Sequence, residues 1–328
     1  MTDPPQEPPR DPSPDAATEP RDDALNPAQR ETLDRLTAPR DTWPEYDQGL
    51  RRRLREHLEG DLSEVAVALS TDRPMRVSKH ALAGVHGCEA RWLADDDDPS
   101  FEASPATVRG SVAHKAIELG INRREPAAPA ELVDIALDRL TESDAWMADW
   151  LRTCDEDDRA EVRAAAIAKV QSFEDVWPPL KPAWRPVTEL PVRADLLGGR
   201  IVLAGRVDLG LGRPDGGRAG RVVVDFKTGG FAVHHRDDGR FYALVEALRI
   251  GVPPRAVATS YLDSGAIHVD PVDEDVLHAA AARVVDGVTR IVALRERQLE
   301  PERRPSAVCR WCRLLDTCDV GRAHLADA

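Results

Sequence analysis

A chain of 328 residues has room for one large domain or two ordinary ones, and for a core that folds without disulfides or metal. Its 58 acidic and 44 basic residues give a net charge of −14, which excludes a surface that coats nucleic acid by charge alone but permits a local basic groove. The opening MTDPPQEPPRDPSPDAATEPRDD lacks the apolar run of a secretory signal, and no stretch reaches the ~18 apolar residues of a membrane span. The expectation is a cytoplasmic protein without membrane contact, in which five cysteines are ligands or core residues rather than disulfides.

Residues 1–25, rich in Pro, Asp and Glu and poor in bulky apolar side chains, are expected to be a disordered acidic tail. Across 26–75, leucines and valines at helical spacing, with the Arg51, Arg52, Arg53, Arg55 cluster, predict one or two amphipathic helices in an N-terminal extension. The main folded body is expected over 76–328. The spacing predicts a helix over 107–122, with His114, Ile117, Glu118 and Ile121 on one face, and further helices over about 128–152 and 158–176.

The pattern then changes. VTELPVRADL, RIVLAGRVDLGL and RVVVDFKTG are short, β-branched and separated by Gly, Pro and Asp clusters, which predicts three consecutive strands. A helix over about 234–250 follows, then a hairpin of AVATSYLDSG and AIHVDPV turning near 263–265, and a long helix from 273 to about 297. This order predicts an α/β fold with a central sheet flanked by helices; no GxxxxGK[ST] phosphate loop is present.

In RVVVDFKTG a period of two places Val223, Asp225 and Lys227 on one face and Val222, Val224 and Phe226 on the other. Asp208, at the end of the preceding strand's apolar run, would lie beside Asp225 if the two strands pair. Two converging carboxylates suit magnesium or manganese, and a nearby lysine can orient or deprotonate a water and stabilise charge on phosphorus. The competing reading is a surface ion pair on an edge strand, with Asp208 in a turn.

GRVD followed by VVDFKTGG resembles the active-site hairpin of PD-(D/E)XK nucleases, in the branch that includes RecB and AddB. The resemblance covers most of 76–328 and implies a mixed central sheet of restriction-endonuclease type. It also implies a metal-dependent deoxyribonuclease, an exonuclease before an endonuclease, in DNA repair or recombination, acting on DNA that is single-stranded or has a free end. His114, Asp208 and Asp225 take the positions of metal ligands, Lys227 that of the catalytic lysine, and Glu189 in VTELPV the acidic position of the preceding strand. Tyr242 falls where the branch carries a Gln-xxx-Tyr motif that holds the site and the DNA, but the first position of that motif is Asp238 here. The alternative is a non-catalytic DNA-binding subunit that scaffolds a separate helicase.

Cys309, Cys312 and Cys318 form C-x2-C-x5-C, and Cys88 lies far upstream; four thiolates suit an iron–sulfur cluster or structural zinc. The arrangement resembles the [4Fe–4S] staple of AddB-type nucleases, which would make these four the cofactor ligands. A staple from Cys88 to Cys309 closes a long loop and would stabilise by on the order of 5 kcal/mol. Arg303, Arg304, Arg310 and Arg313, with no acid between 303 and 315, form a candidate phosphate patch in which Trp311 could stack on a base; the alternative is a solvated basic surface.

Overall fold

The computed structural model describes residues 24–98 and 103–327. The expected disordered tail lies outside them except for its last two positions, of which Leu25 is buried.

Alternation sets the sheet. In β2 (Val187–Leu196), Leu190, Val192, Ala194 and Leu196 are buried and the residues between them are exposed. β2 pairs antiparallel along nearly the whole of β3 (Ile201–Leu211). On the other edge of β3, the short β1 (Met75–Val77) pairs parallel with Ile201 to Leu203, and β4 (Val222–Lys227) pairs antiparallel with Leu209 to Leu211. Residues 204–208 of β3 therefore lie along the gap between two strands. β4 continues through a parallel pairing with β5 (Ala256–Tyr261), and β6 (Ala266–Pro271) closes the sheet antiparallel to β5. The expected three strands and hairpin are all present. The turn of the hairpin uses Gly265 at φ 69°, where its N–H reaches Tyr261 O.

Two helical layers cover the sheet. One comprises α2 (Leu50–Asp61), α3 (Lys79–Gly87), α4 (Glu89–Asp97), α9 (His235–Ile250) and α10 (Glu274–Arg295). The other comprises α1 (Pro27–Leu36), α5 (Pro105–Asn122), α6 (Pro129–Ser143), α7 (Ala145–Thr153) and α8 (Glu156–Val176). α9 is the crossover between the parallel strands β4 and β5, which explains why it is buried along most of its length. No helix among the described residues is long and apolar enough to cross a membrane. The mixed sheet between helices is the architecture expected from the sequence.

Three local features differ from the expectation. The extension over 26–75 is helical but supplies part of the core: Leu50, Leu54, Leu58 and Leu62 have no exposed surface, a stripe at i, i+4, i+8 and i+12 packed under α9 and α10. The helix predicted over 128–152 is broken at Asp144, which is extended at φ −134°. There the hydroxyls of Thr141 and Ser143 donate back to Leu137 O and Arg139 O, the competition with backbone that favours helix ends. Finally, α3 and α4 occupy a stretch in which periodicity suggested no element.

Candidate active site

The site forms where β3 and β4 part. The last ladder pair is Leu209 with Val224; beyond it Phe226 N–H donates to Asp208 Oδ2 at 2.6 Å, so the carboxylate takes the place of a strand carbonyl. The inward–outward alternation of β3 also breaks here, because Val207 packs in one core and Leu209 in the other. On β2, Glu189 lies between the registered pairs Thr188 with Leu209 and Leu190 with Val207, and adopts φ 49°. A left-handed glutamate is costly, and such strain concentrates at functional positions. Burial, reinforced by Asp208 and Glu118, raises the Glu189 pKa, and Arg206 approaches its carboxylate at 3.4 Å.

α5 delivers His114 to the same point, with Nδ1 3.2 Å from Asp208 Oδ1 and its ring edge-on to Phe226. Burial alone would lower the His114 pKa, but the carboxylates of Asp208, Asp225 and Glu189 together outweigh it and the net shift is upward. The structure thus brings Asp208, His114 and Glu189 into one cluster, three residues that the family resemblance singled out.

Asp225 and Lys227 share a face of β4, as the period of two requires, and their charged ends lie 2.7 Å apart. They are not an exposed surface pair: Asp225 is 2 % exposed. Two residues not singled out in the sequence as ligands complete the arrangement. Lys79, at the first turn of α3, places Nζ 2.5 Å from Asp225 Oδ1. Asp238, in the first turn of α9, accepts from Lys227 Nζ at 2.7 Å and lies 4.0 Å from Lys79 Nζ. Burial would raise the Asp225 pKa, yet the two lysines overcome it and hold the carboxyl down at about 2. Its Oδ2 is buried and, despite the nearby lysine, receives no well-directed hydrogen bond.

Tyr242, two turns into the same crossover helix, is 2 % exposed and donates to Arg206 O at 2.6 Å while Lys79 Nζ lies 4.9 Å from its ring centroid. Its contacts are a floor beneath the site, so the reading of Tyr242 as a DNA-contacting side chain gives way to a packing and positioning one. The scarcity of lysine could have pointed to Lys79, one of only five, and the replaced Gln of the Gln-xxx-Tyr motif to Asp238.

The donor set can be tested against a divalent cation. His114, Asp208 and Asp225 offer an imidazole and two carboxylates, and Asp225 Oδ2 is a buried oxygen that the Lys227 ammonium approaches at 2.7 Å without a well-directed hydrogen bond. Hard-oxygen donors with one imidazole suit magnesium or manganese. Among the described residues, no three such donors already stand in one coordination sphere, because Asp225 is turned to its lysines. The residues fit in kind.

The cysteines are spread over several elements: Cys309 Sγ and Cys318 Sγ both lie beside Gly321, Cys154 caps α7, and among the described residues no three cysteines stand as a metal-binding group. All five are free thiols of intermediate burial. Cys88 joins α3 to α4, and the C-terminal segment is tied beside it: Ala90 N–H donates to Glu302 O, Arg304 reaches His86 O at 2.7 Å, and Cys88 Sγ lies 3.9 Å from Glu302 O. Cys309 Sγ accepts from Ser306 N–H and Cys318 Sγ from Gly321 N–H, each at 3.4 Å.

Two of the four arginines in the patch are charge-compensated. Arg304 pairs with Glu302, and Arg313 reaches Ala94 O, Asp98 O and the carboxylates of Asp95 and Asp98. The acids that pair with these two are Asp95, Asp98 and Glu302, the last just outside the 303–315 window. Arg303 is exposed, and Arg310 lies over the ring of Trp311, which is 71 % exposed.

Residues 76–319 match the family model of the PD-(D/E)XK nuclease superfamily, and the chain belongs to that superfamily. Among solved structures, it is similar to a "Putative exonuclease" from Eubacterium rectale, at 14% identity over 76% of this chain and 87% of that one, with a TM-score of 0.44. It is also similar to the protein called SSO0001, at 14% identity over 84% of this chain and 99% of that one, with a TM-score of 0.36. No curated protein matches the sequence.

Proposed function

We propose that this chain is a divalent-metal-dependent deoxyribonuclease of RecB-like type that degrades DNA from an end in repair or recombination. The observation that supports it most is the convergence of His114, Asp208, Asp225 and Lys227 at the parting of β3 and β4 in a chain of nuclease family. His114, Asp208 and Asp225 would hold magnesium or manganese, which when bound polarises phosphoryl oxygen and makes water a better nucleophile. Lys227 Nζ, held by Asp225 and Asp238, is placed to orient the attacking water and to offset charge growing on the phosphate oxygens. Glu189 is a further acid at the edge of this cluster, within reach of a proton released there. Cys88, Cys309, Cys312 and Cys318 would carry a [4Fe–4S] cluster that fastens the C-terminal segment to the α3–α4 junction, with structural zinc as the colourless alternative. Arg303, Arg310 and Trp311 remain the exposed part of the patch that could meet a DNA strand, and supply of DNA by a separate helicase belongs to the same family-based reading.

Cleavage assays on linear and covalently closed circular DNA, with magnesium and with EDTA, test the proposal. Loss of the linear substrate alone is expected. Cleavage of closed circles would replace the exonuclease by an endonuclease, and equal activity in EDTA would remove the metal.

A further inference from the structure

The site holds more charge than the proposed reaction uses. Two acids and two lysines, all at most 15 % exposed in their side chains, form a closed set: Lys79 on Asp225, Lys227 on both Asp225 and Asp238, and Lys79 near Asp238. A buried charge lacking a partner is costly, so such a set is stable only when the signs balance. Asp238 brings one negative charge into the site from α9, and Lys79 brings one positive charge from α3. The closest charged partner of Lys79 is Asp225 and that of Asp238 is Lys227, with Lys79 and Asp238 4.0 Å apart, so the four charges balance only as a set. Ser78 caps α3 by accepting from Ala81 N–H, which fixes the turn from which Lys79 extends, and the Tyr242 ring lies against its ammonium.

We propose that Lys79 is a second active-site cation, a positioning residue whose charge is matched by Asp238 and which thereby keeps Asp225 and Lys227 correctly aimed. The inference rests on the nuclease reading for its rate consequences, but the pairing itself is independent of that reading. Without Lys79, Asp225 and Asp238 compete for one ammonium and Lys227 is drawn away from the cleft. Without Asp238, two lysines crowd one carboxylate. With both neutral, the simple Asp225–Lys227 pair remains.

Four variants test this: Lys79→Gln, Lys79→Arg, Asp238→Asn, and Lys79→Gln with Asp238→Asn. Single-turnover cleavage at saturating magnesium should fall on the order of 10²-fold in each neutral single variant, the scale of a misplaced catalytic group. Lys79→Arg should recover most of the rate, and the double variant should be faster than either neutral single one. Melting in EDTA gives the readout that does not depend on cleavage: each neutral single variant should lose about 5 °C or more, and the double less than their sum. Additive losses in both measurements, or a Lys79→Gln enzyme as fast as wild type, would overturn the proposal. If wild type cleaves no DNA the nuclease reading fails, and the melting data alone then decide the pair: less-than-additive losses keep it and additive losses end it.

Discussion

At the scale of single residues, the chemistry of the site was half legible. Asp225 and Lys227 were placed on one face by strand period alone, and Asp208 beside them by the order of the strands. Lys79 and Asp238 were not placed, because their meeting depends on how α3 and α9 dock on the sheet, and no spacing within either helix encodes that. The same docking sets the titration of Asp225. Its folded pKa, about 2, lies below the ordinary 3.8, so the stability it contributes is fully present above about pH 4 and is lost as pH falls toward 2. The urea midpoints of wild type and Asp225→Asn should therefore differ at neutral pH and converge between about pH 4 and pH 2. A constant gap across that range would contradict the lysine pairing.

At the scale of elements, periodicity found most strands and helices and failed where tertiary contacts decide. The 26–75 segment is an example: its helical spacing was evident, but an amphipathic stripe does not announce what it packs against. Because Leu54 is fully buried between α2 and the sheet-covering helices, Leu54→Ala should cost about 2–5 kcal/mol by denaturant unfolding. An effect near zero would mean that α2 is dispensable. The break in β3 at Asp208 was equally hidden, since alternation predicts that Val207 and Leu209 share a face. A close approach in that strand gives a second test. A Cβ on Gly205 would stand 2.7 Å from Cε1 of Tyr242, whose hydroxyl is fixed on Arg206 O, so Gly205→Ala should destabilise by about 1–3 kcal/mol. Pairing it with Tyr242→Phe, which frees the ring to move, should reduce that loss.

At the scale of the molecule, the sheet separates two tasks. One end, at the β3–β4 gap, gathers acids and lysines; the α3–α4 junction carries Cys88 and ties down the segment over 302–313. Composition concealed both, because a net charge of −14 describes the whole surface, whereas at 303–313 Arg304 and Arg313 are paired with Glu302, Asp95 and Asp98 and Arg303 and Arg310 are exposed. The four-cysteine proposal predicts brown protein on anaerobic purification, and a Cys309→Ser variant that loses the colour and melts at lower temperature. A colourless wild type containing zinc would move the site to structural zinc, and a metal-free wild type as stable as the loaded one would end the staple.

The nuclease itself is tested most directly by incubating end-labelled DNA with wild type and Lys227→Ala in magnesium, manganese or EDTA, after circular dichroism has shown both proteins folded. The account predicts metal-dependent shortening of the label by wild type and none by Lys227→Ala. Equal cleavage by the two proteins, or no cleavage by folded, metal-supplied wild type, would contradict it.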